Sequence, residues 1–217
     1  MKAIAKGVSV LALVAMSLAL AAPALANPDR PTSRSVVGTS QSNGGQMVTN
    51  NGSNNDGISA YAFASSSGNV GANVAGGNAN QQSNTTYIDY GTNNLLVLTG
   101  TRQKNGFNWV FSSGENQGDV DGNAFSDSSG NIGANVASGN LNQQSNSAVI
   151  LASDALSDLG ASTSQTTGGS DYSCDGANSA WITDSAFSSS SGNIGANVAA
   201  GNANQQSNTL VINDGTH

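Results

Sequence analysis

A chain of 217 residues with thirteen acids, six bases and one histidine has a formal charge of −7, yet only 9% of it is charged and 5% aromatic. An acidic chain without a basic cluster is a poor partner for nucleic acid, whose binding rests on neutralising phosphates, or for an anionic membrane surface. Twenty-seven glycines, scarce long aliphatic side chains and no proline after Pro31 make an ordinary globular core thin, while low charge and few prolines do not fit disorder.

Residues 1–26 read as an export signal. Lys2 and Lys6 open it, Val8 to Ala22 is apolar, and Ala24-Leu25-Ala26 is a small-x-small cleavage site. The apolar run is short of the roughly 20 residues that span a bilayer, and Pro23 follows it at once. Cleavage removes two lysines and no acid, and leaves no further apolar stretch of spanning length. The mature chain is therefore expected to be secreted, through the periplasm, with no integral membrane segment. Residues 27–57, rich in Ser, Asn, Gly and Thr, read as a flexible leader.

Three ungapped copies follow, at a period of 62 residues: Phe63 to Asn84, Phe125 to Asn146 and Phe187 to Asn208. From Ser66 to Asn84 only the columns at Val70, Gly76 and Ala79 vary among the copies. The organisation expected is repeat 58–89, linker 90–120, repeat 121–150, linker 151–180, repeat 181–213 and tail 214–217. The two linkers read as irregular and unlike each other.

Within a copy the apolar period is two. Val70, Ala72 and Val74 alternate with Gly71, Asn73 and Ala75, which describes a strand with a small-residue face. Ser67-Gly68-Asn69 reads as a turn before that strand, with Phe63 ending an earlier one. Gly77-Asn78 supplies a turn after it. A second strand follows, with Gln81 and Ser83 on one face and Gln82 and Asn84 on the other. The fold class expected is all-β: stacked strand-turn-strand repeats, as a β-solenoid or cross-β layers, with irregular linkers and a disordered N-terminal leader.

Such a unit is too polar to stand alone, but stacking it on an identical unit brings like side chains over like at roughly 4.7–4.8 Å. Amides can then bond from layer to layer. The predicted ladder is Asn69, Asn73, Asn80, Gln81, Gln82 and Asn84; Asn131, Asn135, Asn142, Gln143, Gln144 and Asn146; and Asn193, Asn197, Asn204, Gln205, Gln206 and Asn208. The predicted stacked apolar core is Phe63, Phe125 and Phe187 with Val74, Val136 and Val198. Asp127 breaks the neutrality of its column, where the other copies carry Ser65 and Ser189.

The three Gly-Asn-x-Asn-Gln-Gln repeats with two dissimilar linkers resemble the Fap functional amyloid subunits of Pseudomonas-type bacteria. The resemblance implies secretion through an outer-membrane pore, homopolymeric fibril assembly at the cell surface beside a related fibre subunit, and a role in biofilm. It places the ladder on the amide positions named above. The chain departs from the family in carrying Cys174 alone, where a Cys-x-x-Cys pair is common.

Enzyme chemistry finds little support. His217 is the sole histidine and the last residue, which is a poor place for a triad base. His/Cys metal sets fail by count, no cofactor motif is present, and Cys174 has no partner for an internal disulfide. Asp119-Val-Asp121-Gly-Asn123 reads as a solvated turn rather than a calcium loop. Phe107, Trp109 and Phe111 are expected to pack against the stack. Two function classes remain: a self-assembling fibre subunit, and a monomeric β-solenoid surface adhesin whose linkers present the binding face.

Overall fold

A computed structural model describes residues 33–45, 47–91, 94–153, 158–169 and 171–215, so the export signal, the first leader residues and the last tail residues lie outside it. The described residues form three layers of five strands each. The first layer holds β1 (Ser33–Gly44), β2 (Met47–Asn50), β3 (Asn54–Ile58), β4 (Ser67–Gly76) and β5 (Gln81–Gly91). The second holds β6 (Asn94–Gly106), β7 (Trp109–Ser112), β8 (Asn116–Val120), β9 (Ser129–Ser138) and β10 (Gln143–Ser153). The third holds β11 (Asp158–Gly168), β12 (Asp171–Cys174), β13 (Asn178–Ile182), β14 (Ser191–Ala200) and β15 (Gln205–Gly215).

Each strand pairs in parallel with the strand 62 residues along, giving five three-stranded sheets in which the second layer is always central. Period-two patterning is what permits this, because side chains then alternate between faces and one offset superposes every column. The three copies are thus consecutive layers of one stack, and the all-β class read from the sequence is the class found.

Expectations for the leader, the linkers and the turn change. From Ser33 onward the leader is not a loose tail: it forms β1, β2 and β3, paired to the second layer. The linkers likewise carry β6–β8 and β11–β13 in the same register, so each layer is a linker-type half joined to a repeat. The physical reason is that parallel ladders need backbone register and alternate inward side chains, not identical residues. Finally, Ser67-Gly68-Asn69 opens β4, and the turn falls earlier, over 59–65. Phe63 does not end a strand but sits in that turn with φ 60°, as do Phe125 at 59° and Phe187 at 61°.

The sheet of β5, β10 and β15 lies inside the fold. On one side the β1–β6–β11 sheet packs against it through Tyr87, Val97 and Val149. On the other it meets the β4–β9–β14 sheet through amides. That second sheet turns its apolar face outward, where Ala72, Ile132, Ala134 and Val136 pack with Ile58, Val120 and Phe125. The three Phe rings stack at centroid distances of 5.0 and 4.9 Å with interplanar angles of 11° and 1°. Phe107, Trp109 and Phe111, expected to pack on the stack, instead point outward and are 76%, 56% and 49% exposed, because their strand turns Val110 inward.

Candidate functional site

The site is the interior seam between the β4–β9–β14 and β5–β10–β15 sheets, together with the two open ends of the stack. Close approach of the sheets comes from glycine. A Cβ on Gly133 would stand 2.8 Å from the Asn84 Oδ1 and 3.3 Å from the Asn146 Cβ, and one on Gly195 would meet Asn146 in the same way. With no side chain there, asparagines of the neighbouring sheet fill the seam.

Every amide column named from the sequence is in register. Gln82 Nε2 donates to Gln144 Oε1, and Gln144 Nε2 to Gln206 Oε1, both at 2.8 Å. Gln143 donates to Gln81 at 3.1 Å and Gln205 to Gln143 at 3.0 Å. Asn135 donates to Asn73 and Asn197 to Asn135, both at 2.9 Å, while Asn146 and Asn208 each donate to the layer before at 2.9 and 3.0 Å. Asn142 and Asn204 continue the Asn80 column partly through the backbone, N–H to Oδ1, at 2.9 and 3.0 Å. Asn131 donates to Asn69 at 2.8 Å on the exposed rim, and Asn193 follows in register. That rim borders a groove of about 560 Å³ whose lining includes Val70, Ile132 and Ile194.

The amides also tie sheet to sheet. Gln144 Nε2 reaches the Val136 carbonyl at 2.8 Å, and Asn146 Nδ2 reaches the Ala134 carbonyl at 3.2 Å and Asn135 Oδ1 at 3.0 Å. A buried amide without partners costs about 1–3 kcal/mol, so a half-satisfied seam would be worse than an apolar one. Val74, Val136 and Val198 lie on the opposite, apolar face with the Phe stack.

Three further ladders escaped the sequence reading. Gln103 donates to Gln41 and Gln165 to Gln103 at 2.9 and 2.8 Å. Asn54, Asn116 and Asn178 form a chain at 2.7 Å per link. Asn78, Asn140 and Asn202, read as turn residues, form another at 3.0 and 2.7 Å. The signal was available: extended beyond the copies, the 62-residue offset keeps Thr39, Gln41, Gly44, Gly52 and Asn54 unchanged in all three layers.

The third layer exposes what the middle layer seals, and the first layer does so at Phe63 while Ile58 and Tyr87 stay buried at 4% and 7%. Phe125 is wholly buried, whereas Phe63 in the first layer is 44% exposed. Val120 and Val149 are wholly buried, whereas their third-layer equivalents Ile182 and Val211 are 49% and 42% exposed. Acids avoid one another along the axis: Asp56 stands in register with Gly118, Asp119 with Gly57 and Trp181, and Asp89 with Leu151. Asp56 lies over Gly76, where a Cβ would push its carboxylate aside. Burial pushes its carboxyl above the ordinary range, hydrogen bonds from Ser138 and the Gly76 backbone pull it down, and Asp119 adds a further push upward. Its Oδ2 is buried without a hydrogen-bond partner. Burial raises Asp119 too, with Asp121 adding to it. Among the described residues no cluster of three or more His, Cys, Asp or Glu could hold a metal, and no helix is long and apolar enough to cross a membrane.

In-register parallel layers, amide ladders inside and both ends open define a cross-β repeat protein. The chain belongs to the functional amyloid protein FapB/FapC family, whose profile matches residues 15–100 and 34–215. It is 42% identical over 94 residues to the functional amyloid subunit FapC of Pseudomonas aeruginosa. That alignment takes in 41% of this chain and 27% of the relative, so the chain spans about a quarter of the relative's length. No solved structure matches.

Proposed function

We propose that this chain is a secreted, non-enzymatic subunit that polymerises by laying its third layer on the first layer of the next copy. The product is a cell-surface amyloid fibre in the biofilm matrix. The observation that carries this reading is the contrast between sealed and open layers: columns wholly buried at Val120 and Val149 stand open at Ile182 and Val211. Continued stacking would seal them at about 25 cal/mol per Å² of apolar surface.

The junction is chemically permissive. Residues 124 apart meet there, so Gln205 comes over Gln81, Phe187 over Phe63 and Asn208 over Asn84, as in the interior. No described acid of the third layer meets an acid there: Asp158 meets Arg34, Asp171 meets Met47, Asp175 meets Asn51, Asp184 meets Ala60 and Asp214 meets Tyr90. A heterologous contact of this kind does not close on itself and yields a filament. Lys2, Lys6, the apolar run and Ala24-Leu25-Ala26 support export. An outer-membrane secretion pore and a related fibre subunit are the partners this reading adds. Amides and apolar layers, without cofactor or metal, are all that such a role requires.

Purified chain lacking residues 1–26 is expected to polymerise after a lag into thioflavin-binding fibrils with cross-β diffraction. A concentrated solution that stays monomeric for days with a fixed fold would overturn the fibre reading and favour a monomeric adhesin.

A further inference from the structure

The shortest sheet has an outer face that the stack does not cover. Along the second layer it presents Phe107, Trp109 and Phe111, and Met47 of the first layer, in register with Trp109, is 71% exposed. These rings do not form a ladder. The Trp109 column holds Met47 and Asp171, and the Phe111 column holds Thr49 and Ser173. Phe107 takes φ 55° at a corner where the first and third layers carry Gly45 at 70° and Gly169 at 62°. A bulky residue in the left-handed region is held there at a cost in backbone strain.

The charges flanking this strip differ in sign on its two sides, with Asp171 of the third layer sharing the Trp109 column. On the N-terminal side of β7 stand Arg102 and Lys104, both exposed and, among the described residues, without an ion pair. Their register neighbours are hydroxyls: Ser40 and Ser42 before, Ser164 and Thr166 after. On the C-terminal side stand Glu115 and, in the third layer one residue beyond β12, Asp175, both exposed. Followed along the chain from the end of β6, round the Phe107 corner and past β7, the outward residues run cation, aromatic, acid.

We propose that this face is a lateral interface with a second copy, joining two parallel stacks about a two-fold axis along the fibre. Such an operation sets β7 of one stack antiparallel to β7 of the other. Trp109 and Phe111 are then buried between the stacks, and Arg102 and Lys104 of each come opposite Glu115 of its partner, with Asp175 one layer further along the axis. A two-fold contact must be self-complementary, and a face ordered cation, aromatic, acid is so only in this antiparallel sense. The proposal rests on the axial polymer, which repeats the strip every three layers, about 14 Å. A contact weak in one pair of copies is then multiplied along the filament. The opposite signs on the two sides favour a second copy over a polyanion, which the acidic side would repel.

The test is mass per unit length of fibres by scanning transmission electron microscopy, on the chain lacking residues 1–26. Wild-type fibres are expected at twice the single-stack value. Trp109→Ser with Phe111→Ser is expected to halve it while fibres still bind thioflavin, since neither side chain belongs to a ladder. Arg102→Glu with Lys104→Glu should halve it as well, and adding Glu115→Lys with Asp175→Lys should restore the double value. Wild-type fibres at the single-stack value, or variants that keep the double value, overturn the lateral contact and leave the axial polymer standing. A wild-type chain that forms no fibre overturns both.

Discussion

Gln144 stands between two copies of itself: its Oε1 accepts from Gln82 Nε2 at 2.8 Å, and its own Nε2 donates to Gln206 at the same distance. The same nitrogen reaches the Val136 carbonyl at 2.8 Å. One side chain therefore links all three layers and two sheets in a site with no access to water.

Replacing Gln144 by Ala strips partners from the amides above and below and from a buried carbonyl. The expected loss is about 1–3 kcal/mol for the unsatisfied groups, with the cavity adding to it. Replacing Asp127, exposed in the turn of the same layer, by Ala should stay within about 0.5 kcal/mol. Denaturant midpoints of the two variants compare them directly, and equal shifts would count against the amide seam as a stabilising element.

The Phe stack makes a prediction that depends on position. Phe125 is wholly buried between Phe63 and Phe187, so Phe125→Ala is expected to cost about 3–5 kcal/mol in the isolated chain. Phe63 is 44% exposed, so its replacement should cost clearly less. In fibres each ring has two neighbours, and the two variants should become alike. Urea dissociation of the fibres beside unfolding of the monomer reads both states; a difference that persists in fibres would mean that first layers remain uncovered.

Much of this was legible from the repeat because an amide ladder demands the same residue in every layer, as at Gln82, Gln144 and Gln206. The linkers were not legible in the same way. The Ile58, Val120 and Ile182 column needs only an apolar β-former, and exposed positions such as Met47, Trp109 and Asp171 need nothing in common. The turn was misplaced for a different reason. Its left-handed residues in the first layer are Ala60, Phe63 and Ser65 rather than glycines, so nothing in local chemistry announced it. The outward rings at Trp109 and Phe111 were read as packing because period two identifies a face, not which face is inside.

Asp56 should make stability and assembly depend on pH. Burial raises its carboxyl above the ordinary value in the folded chain. Between the two values the native state holds more protons than the unfolded one, so stability rises as pH falls through that window and the full penalty applies above it. Stacking would add Ala180 of the next copy to the register that already places Gly118 beside Asp56, burying the carboxyl further and drawing in a proton. Fibrillation lag is expected to shorten on acidification from neutral pH. Asp56→Asn should shorten the lag at neutral pH and flatten the pH profile, with Asp119 leaving a smaller residual slope. An unchanged profile in Asp56→Asn would refute this role.

Cys174 reports on the open end. It stands in register with Ser112, an inward position that is 6% exposed in the middle layer. The cysteine itself is exposed because no further layer lies on it, and its Sγ accepts from Asn202 Nδ2 at 2.9 Å. Partial burial nevertheless pushes the thiol up, which keeps the reactive thiolate scarce near neutral pH. In dispersed protein a maleimide should label every chain, slowly. In fibres built third layer on first, Asn50 of the following copy would cover the thiol, so labelling should fall to the fraction of chains at one end. A bulky adduct made beforehand should stop addition at that layer, whereas Cys174→Ser should polymerise as the unmodified chain does. Labelling as complete in fibres as in dispersed protein would place the junction elsewhere and rule out this head-to-tail register.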